Sequence, residues 1–164
     1  MFKGSSVALI TPMQTQPDGS TAIDLPAWDR LLDWHADAGT QAVVVGGTTG
    51  ESGTLDHEEY IQLLTHAIGR LKGRAAVMAG TGSPSTEHTI ARTRLAASLG
   101  ADMALVVTPA YNRPSQRGLL AHYRAVADQS EIPIMLYNVP SRTAVDLLPE
   151  TALALAKHDA IVAI

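Results

Sequence analysis

Tyr137 and Arg142 are the side chains of this sequence best suited to chemistry on a small carboxylated molecule. A phenol can pass a proton, and a guanidinium can grip a carboxylate in its own plane through two parallel N–H donors. Both lie in the stretch Ile132 to Thr143. There the apolar run Ile132 to Leu136 predicts a strand that delivers Tyr137, Asn138, Ser141, Arg142 and Thr143 into a short loop braked by Pro140. The same residues also read as an ordinary turn with a surface arginine. A second centre is the glycine-rich stretch Gly46 to Gly53, in which free backbone N–H groups and the hydroxyls of Thr48 and Thr49 would make a small anion site at a strand end. A tight turn without a ligand fits that stretch equally well, as it does Gly80-Thr-Gly82. Neither spacing matches a phosphate loop with its lysine or a dinucleotide fingerprint, so nucleotide binding has little support.

The elements that must position these residues alternate. Val7 to Ile10 predicts a first strand, and Gln14 to Ser20, with its Pro17-Asp18-Gly19 turn signal, predicts a loop. Asp24 caps a helix carrying Leu25, Trp28, Leu31, Leu32 and His35 at helical spacing, with Gly39 as its stop. A second strand, Ala42 to Gly46, leads into the glycine-rich loop. A capping box of Asp56 and Glu59 then opens a helix striped by Tyr60, Leu63, Leu64, Ala67, Ile68 and Leu71. Ala75 to Ala79 predicts a third strand, Ser85 to Leu99 a weakly striped helix, Met103 to Val107 a fourth strand, and Ser115 onward a helix with Leu119, Tyr123, Val126 and Ala127 inward. After the fifth strand, Ile132 to Leu136, come a helix from Pro149 to about Lys157 and an apolar sixth strand, Ala160 to Ile164. Continuous apolar strands separated by helices describe a parallel sheet covered on both faces, with functional loops gathered at the strands' C-terminal ends. A doubly wound sheet and part of a (β/α)8 barrel both satisfy that pattern. The apolar ending favours the barrel, with residues 1–164 read as the N-terminal part of a single catalytic domain, its first five βα units and sixth strand.

Composition narrows the function classes. The 164 residues are 46% hydrophobic and 17% charged, with a net charge of -4, a pI near 5.8 and a mean hydropathy of +0.07. Twelve Lys and Arg residues leave no basic stripe for a phosphate backbone, so nucleic acid is not an expected partner. With no cysteine there is no disulfide framework, thiolate metal site or thiol nucleophile. No apolar run approaches the roughly 20 residues of a membrane span, and the N-terminus has no secretory pattern, so no membrane partner and a cytoplasmic setting are expected. The six histidines, His35, His57, His66, His88, His122 and His158, form no i, i+4 pair and read as helix surface or packing residues, His57 and His88 being nearest the loops. Neither a metal nor a cofactor is called for.

Four segments in order, Gly47-Thr-Thr-Gly-Glu-Ser52, Gly80-Thr-Gly82, Thr108 to Ser115 with Gly118-Leu119, and Tyr137-Asn-Val-Pro-Ser-Arg-Thr143, resemble the dihydrodipicolinate synthases (4-hydroxy-tetrahydrodipicolinate synthases) within the pyruvate-dependent aldolases. The resemblance implies a (β/α)8 barrel that condenses pyruvate, held as a Schiff base on a lysine, with aspartate semialdehyde in lysine and diaminopimelate biosynthesis. By matching motif, Thr49 and its loop would hold the pyruvate carboxylate, and Thr48 would bridge two relay tyrosines. Tyr137 would be the acid/base, Tyr111 the second tyrosine, donated across the interface of a homodimer or homotetramer, and Arg142 the receiver of the semialdehyde carboxylate. Another pyruvate aldolase, such as an N-acetylneuraminate lyase-like or sugar-acid enzyme, and a non-catalytic carboxylate-binding half-barrel are the competing readings.

Two departures matter. The Schiff base needs an amine that burial keeps partly neutral, and the family carries its lysine after the sixth strand. Lys3, Lys72 and Lys157 all belong to the other side of the sheet, so residues 1–164 alone are expected to be inactive, with the nucleophile and the rest of the barrel lying beyond Ile164. The family's lysine-feedback site is matched by Ser52 and His57 but changed at Tyr60, Pro84, His88 and Ala110, so insensitivity to lysine is expected.

Overall fold

The computed structural model describes residues 3–164 and divides into two compact units, Met1–Met78 and Ala79–Ile164. In the first unit, β1 (Ser6–Ala8) lies parallel to β4 (Ala42–Val45), with Val7 opposite Val43. β2 (Met13–Thr15), β3 (Thr21–Ile23) and α1 (Leu25–Asp37) intervene in sequence, and α2 (His57–Leu71) follows. β5 (Ala76–Gly80) starts beside β4, the Ala76 amide donating to the Gln41 carbonyl at 2.9 Å. All four residues of β4 are buried, as a strand covered on both faces requires.

Both helices start where their caps lie. Asp24 accepts from the Ala27 amide ahead of α1, and Asp56 and Glu59 form the reciprocal box ahead of α2. Tyr60, Leu63, Leu64, Ala67 and Leu71 are buried along α2, each leucine stabilising the unit by roughly 1.5–3 kcal/mol. Trp28 of α1, 1% exposed, also donates its indole N–H to the Leu63 carbonyl at 3.3 Å. On their outer faces Asp29, Asp33 and Asp37 interleave with Arg70 and Arg74. Arg70 and then Arg74 hold the Asp33 carboxyl far below the ordinary carboxylate range.

The Gln14–Ser20 loop expected from the sequence is instead part of a hairpin. β2 and β3 pair antiparallel, Met13 opposite Ile23 and Thr15 opposite Thr21. Asp18 organises the turn by accepting from the Ser20 amide at 2.9 Å and the Ser20 hydroxyl at 2.6 Å. Every residue of β2 is exposed and in β3 only Ile23 is buried, so the ribbon is too short and too exposed to write an apolar alternation into the sequence. The first strand also shifts: it ends at Ala8, Leu9 is buried and Ile10 is 57% exposed.

The second unit begins within β5 and contains α3 (Thr86–Leu99), β6 (Met103–Val107), α4 (Gln116–Ala127), β7 (Ile134–Tyr137), a helical turn α5 (Pro140–Thr143), α6 (Pro149–Leu155) and β8 (Ile161–Ala163). Its strands run in the order β5-β6-β7-β8. β6 and β7 are parallel from Ala104 opposite Ile134 to Val107 opposite Tyr137, and β7 and β8 are parallel with an irregularity at Ile134 and Met135. The core gathers Ala104, Val106, Leu119, Tyr123, Ile134 and Leu155. The weak stripe of α3 has a cause: its buried face is Thr89, Thr93 and Ala96. The Thr93 hydroxyl donates to that of Thr81 at 2.9 Å and the Thr89 hydroxyl to the Ser85 carbonyl at 2.9 Å, so polar groups are buried without orphaned donors.

Several boundaries differ from expectation by a residue or more, three of them with a plain consequence for the elements. The fifth strand runs from Ile134 to Tyr137 rather than from Ile132 to Leu136, because Pro133 has no N–H for the ladder and Ser130 engages both the amide and the carbonyl of Ile132. Ser141, Arg142 and Thr143 belong to a helical turn rather than a loop. α6 stops at Leu155, two residues short of Lys157. The succession of five strand–helix units and a sixth parallel strand is otherwise the expected beginning of a (β/α)8 barrel.

Candidate active site

In the first unit, the chain leaves β4 through Gly46, which is buried and has φ +63. A Cβ there would meet the Tyr60 ring at 2.8 Å, so the turn requires glycine. Successive turns follow, Gly50 N–H to Gly47 O at 3.1 Å and Glu51 N–H to Thr48 O at 3.1 Å, and the Thr11 hydroxyl holds the Gly50 carbonyl at 2.7 Å. Thr48 and Thr49 are exposed on this frame. Among the described residues their amides have no backbone acceptor, which leaves N–H groups and hydroxyls free to receive an anion.

The second unit carries the other three candidates at the C-terminal ends of neighbouring strands. Tyr137 ends β7, half-buried, with its carbonyl accepting from the Thr108 amide at 3.0 Å. Tyr111, after β6, is 91% exposed and has φ +69. The Asn112 amide donates to the Ala110 carbonyl at 2.8 Å, so Tyr111 is the apex of a γ-turn in the strained, positive-φ form. Asn112 further anchors the turn by donating its side-chain amide to the Pro84 carbonyl at 3.1 Å. Arg142 is exposed near the end of α5. Among the described residues its guanidinium has no hydrogen-bond or ion-pair partner, unlike the neighbouring polar groups.

Those neighbours hold the segment in shape. Asn138 accepts from the Leu147 amide at 3.0 Å and donates to the Asp146 carboxylate at 2.7 Å, closing the segment that contains α5. Gln116, the first residue of α4, donates to the Asp146 carbonyl at 2.7 Å and accepts from the Thr151 hydroxyl at 2.7 Å. Asn138 was visible inside the motif, whereas nothing in the spacing of Gln116 or Asp146 marks them.

The histidines divide as helix residues do. His57 and His88 are exposed at the starts of α2 and α3, while His35 bonds the Thr40 hydroxyl at 3.0 Å and His122 that of Thr86 at 2.9 Å. Burial pushes the His122 imidazole below its ordinary pKa. Lys3 precedes β1, Lys72 caps the C-terminus of α2 and Lys157 follows α6, so each lies at the entry to a strand rather than at its exit. No helix among the described residues is long and apolar enough to cross a membrane.

These strand-end loops carry the segments of one family, and the profile of the dihydrodipicolinate synthetase family matches residues 1–164. The chain belongs to that family. It is 48% identical to the 4-hydroxy-tetrahydrodipicolinate synthase of Thermodesulfovibrio yellowstonii, covering 100% of this chain and 55% of that one. Identity to the synthase of Stenotrophomonas maltophilia strain R551-3 is 54%, over 99% of this chain and 54% of the relative. The chloride-inhibited dihydrodipicolinate synthase of Acinetobacter baumannii, solved in complex with pyruvate, superposes with a TM-score of 0.95 at 46% identity, covering 100% of this chain and 55% of that one. The chain thus spans about half the length of these family members.

Proposed function

We propose that residues 1–164 are the N-terminal part of a 4-hydroxy-tetrahydrodipicolinate synthase that condenses pyruvate with aspartate semialdehyde. The observation that carries this reading is Tyr137 at the end of β7, followed in α5 by an exposed Arg142 that has no partner among the described residues, in a family whose A. baumannii member was solved with pyruvate. In this reading the Thr49 loop receives the pyruvate carboxylate. An amine attacks the pyruvate ketone and expels water to leave an imine, and loss of a methyl proton turns the imine into an enamine. The enamine carbon then bonds to the aldehyde carbon of the semialdehyde, whose oxygen takes up a proton. Tyr137, with Thr48 and Tyr111, moves these protons, and Arg142 holds the second carboxylate. Lys3, Lys72 and Lys157 are at strand entries, so the amine comes from the rest of a full-length protein and the isolated chain is inactive. The exposure of Tyr111 fits service in a second copy of the chain, within a homodimer or homotetramer. The biosynthetic role goes with the cytoplasm.

Borohydride reduction of the full-length protein with pyruvate should trap a covalent adduct, and aspartate semialdehyde should be turned over faster than sugar-acid acceptors. Absence of the adduct overturns the Schiff-base reading, and preference for a sugar acid selects another pyruvate aldolase. Tyr137→Phe should lower kcat by about 10²–10⁴-fold. With Pro84, His88 and Ala110 in place of polar or aromatic ligand contacts, the enzyme should also be insensitive to lysine; half-inhibition at submillimolar lysine would refute this.

A further inference from the structure

α5, the turn bearing Arg142, has four residues, too few for a helix to hold itself in water. Its Arg142 and Thr143 amides both return to the Val139 carbonyl, at 2.9 and 3.1 Å, and its exit at Ala144 is strained, with φ +58. What fixes it is buried beneath. Thr143 is 2% exposed and Thr108, where the chain leaves β6, is 0% exposed. The Thr108 hydroxyl donates to the Thr143 oxygen at 3.2 Å, and the Thr143 hydroxyl reaches the Val145 carbonyl at 2.9 Å. The same oxygen lies 3.4 Å from the Val145 amide and 3.2 Å from the Val139 carbonyl. A hydroxyl has one proton to give and two lone pairs to receive, so Thr143 is saturated and ties both ends of the turn to the neighbouring strand.

We propose that Thr108 and Thr143 form a buried hydroxyl pair that positions Arg142, setting how well the enzyme holds the carboxylate of its second substrate. Neither hydroxyl touches substrate; they are positioning residues, and the claim rests on the role given to Arg142 under the proposed function. Thr108 separates two effects. Its amide holds the Tyr137 carbonyl at 3.0 Å, a bond that survives any side-chain change, while its hydroxyl alone reaches α5. Removing the hydroxyl should loosen the guanidinium and leave the phenol where it is, because a binding group fixed before the substrate arrives loses less freedom on binding.

The test is made on the full-length protein with Thr108→Val, which keeps the side-chain shape, and Thr108→Ser, which keeps the hydroxyl. Thr108→Val should raise KM for aspartate semialdehyde by about three- to tenfold, the size of one net hydrogen bond, with kcat and the KM for pyruvate unchanged. Thr108→Ser should restore the wild-type value. Equal behaviour of the two variants, or a KM rise shared by both substrates, overturns the proposal. Amide hydrogen exchange of Arg142, Thr143 and Ala144 reads the turn independently of activity: faster exchange in Thr108→Val and not in Thr108→Ser is expected, and unchanged exchange overturns the pair. If Arg142→Ala leaves both KM values at wild type, the role of Arg142 is what fails, while exchange still decides whether the pair holds the turn.

Discussion

The loop after β4 and the segment after β7 present their exposed polar groups by opposite means. The first is a backbone construction: Gly46 turns at φ +63 under the Tyr60 ring, and the amides of Gly50 and Glu51 lock successive turns. The second is a side-chain construction, in which Asn138, Thr143 and Gln116 tie a short helical turn to the strand and helix beside it. A loop that leaves its N–H groups open must do without their hydrogen bonds, so its rigidity comes from glycine conformation. A turn that extends a long guanidinium can fill its interior with hydroxyls and amides instead. The two should therefore fail differently when altered.

Gly46→Ala should show the largest effect. The left-handed conformation costs an alanine about 1–2 kcal/mol and the overlap with Tyr60 about as much again, so urea unfolding should read a loss of about 3 kcal/mol. Gly53→Ala, where a Cβ meets nothing within 4 Å, is the matched control and should be near neutral. A comparable loss in both would end the distinction drawn for this loop. In the second segment Asn138→Ala strands the Leu147 amide and should cost about 1–2 kcal/mol. Asn138→Asp keeps an acceptor for that amide but sets a second carboxylate against Asp146, so urea unfolding should again read a loss. Smaller still is Ala144→Gly, which relieves a positive φ and should stabilise by at most about 1 kcal/mol after the entropy of glycine is counted.

The smallest effect is the pH dependence of the α3–α4 contact. His122 has its native pKa lowered by burial from 6.5, so the unfolded chain binds the proton first as pH falls. Its contribution is intact above about pH 6.5 and is lost as pH drops below that value toward the lowered native pKa. Urea midpoints at pH 8 and pH 5.5 should separate for wild type and converge in His122→Gln; an unchanged separation removes His122 as the cause.

Much of the architecture was legible because it is written in periodicity and capping. Asp24, Asp56, Ser85 and Ser115 each cap the helix they precede, and the apolar runs of β4 and β6 are strands. The hairpin was not legible because Ile23 is the single buried residue of its two strands, too little for an apolar alternation. The start of β7 was misread because hydrophobicity marked Ile132 while Pro133 denied the ladder a donor.

The amino-acid sequence by itself determined which chemical groups this chain brings to its strand ends, Thr48, Thr49, Tyr111, Tyr137 and Arg142, since residue type and distance from an apolar run are local properties. Only the tertiary structure decided what holds the groups after β6 and β7. The bonds from Thr108 to Thr143 and from Gln116 to Asp146 join residues 35 and 30 positions apart. No local pattern records that a hydroxyl will donate to another so distant in sequence, because the packing of neighbouring βα units is what brings them within reach.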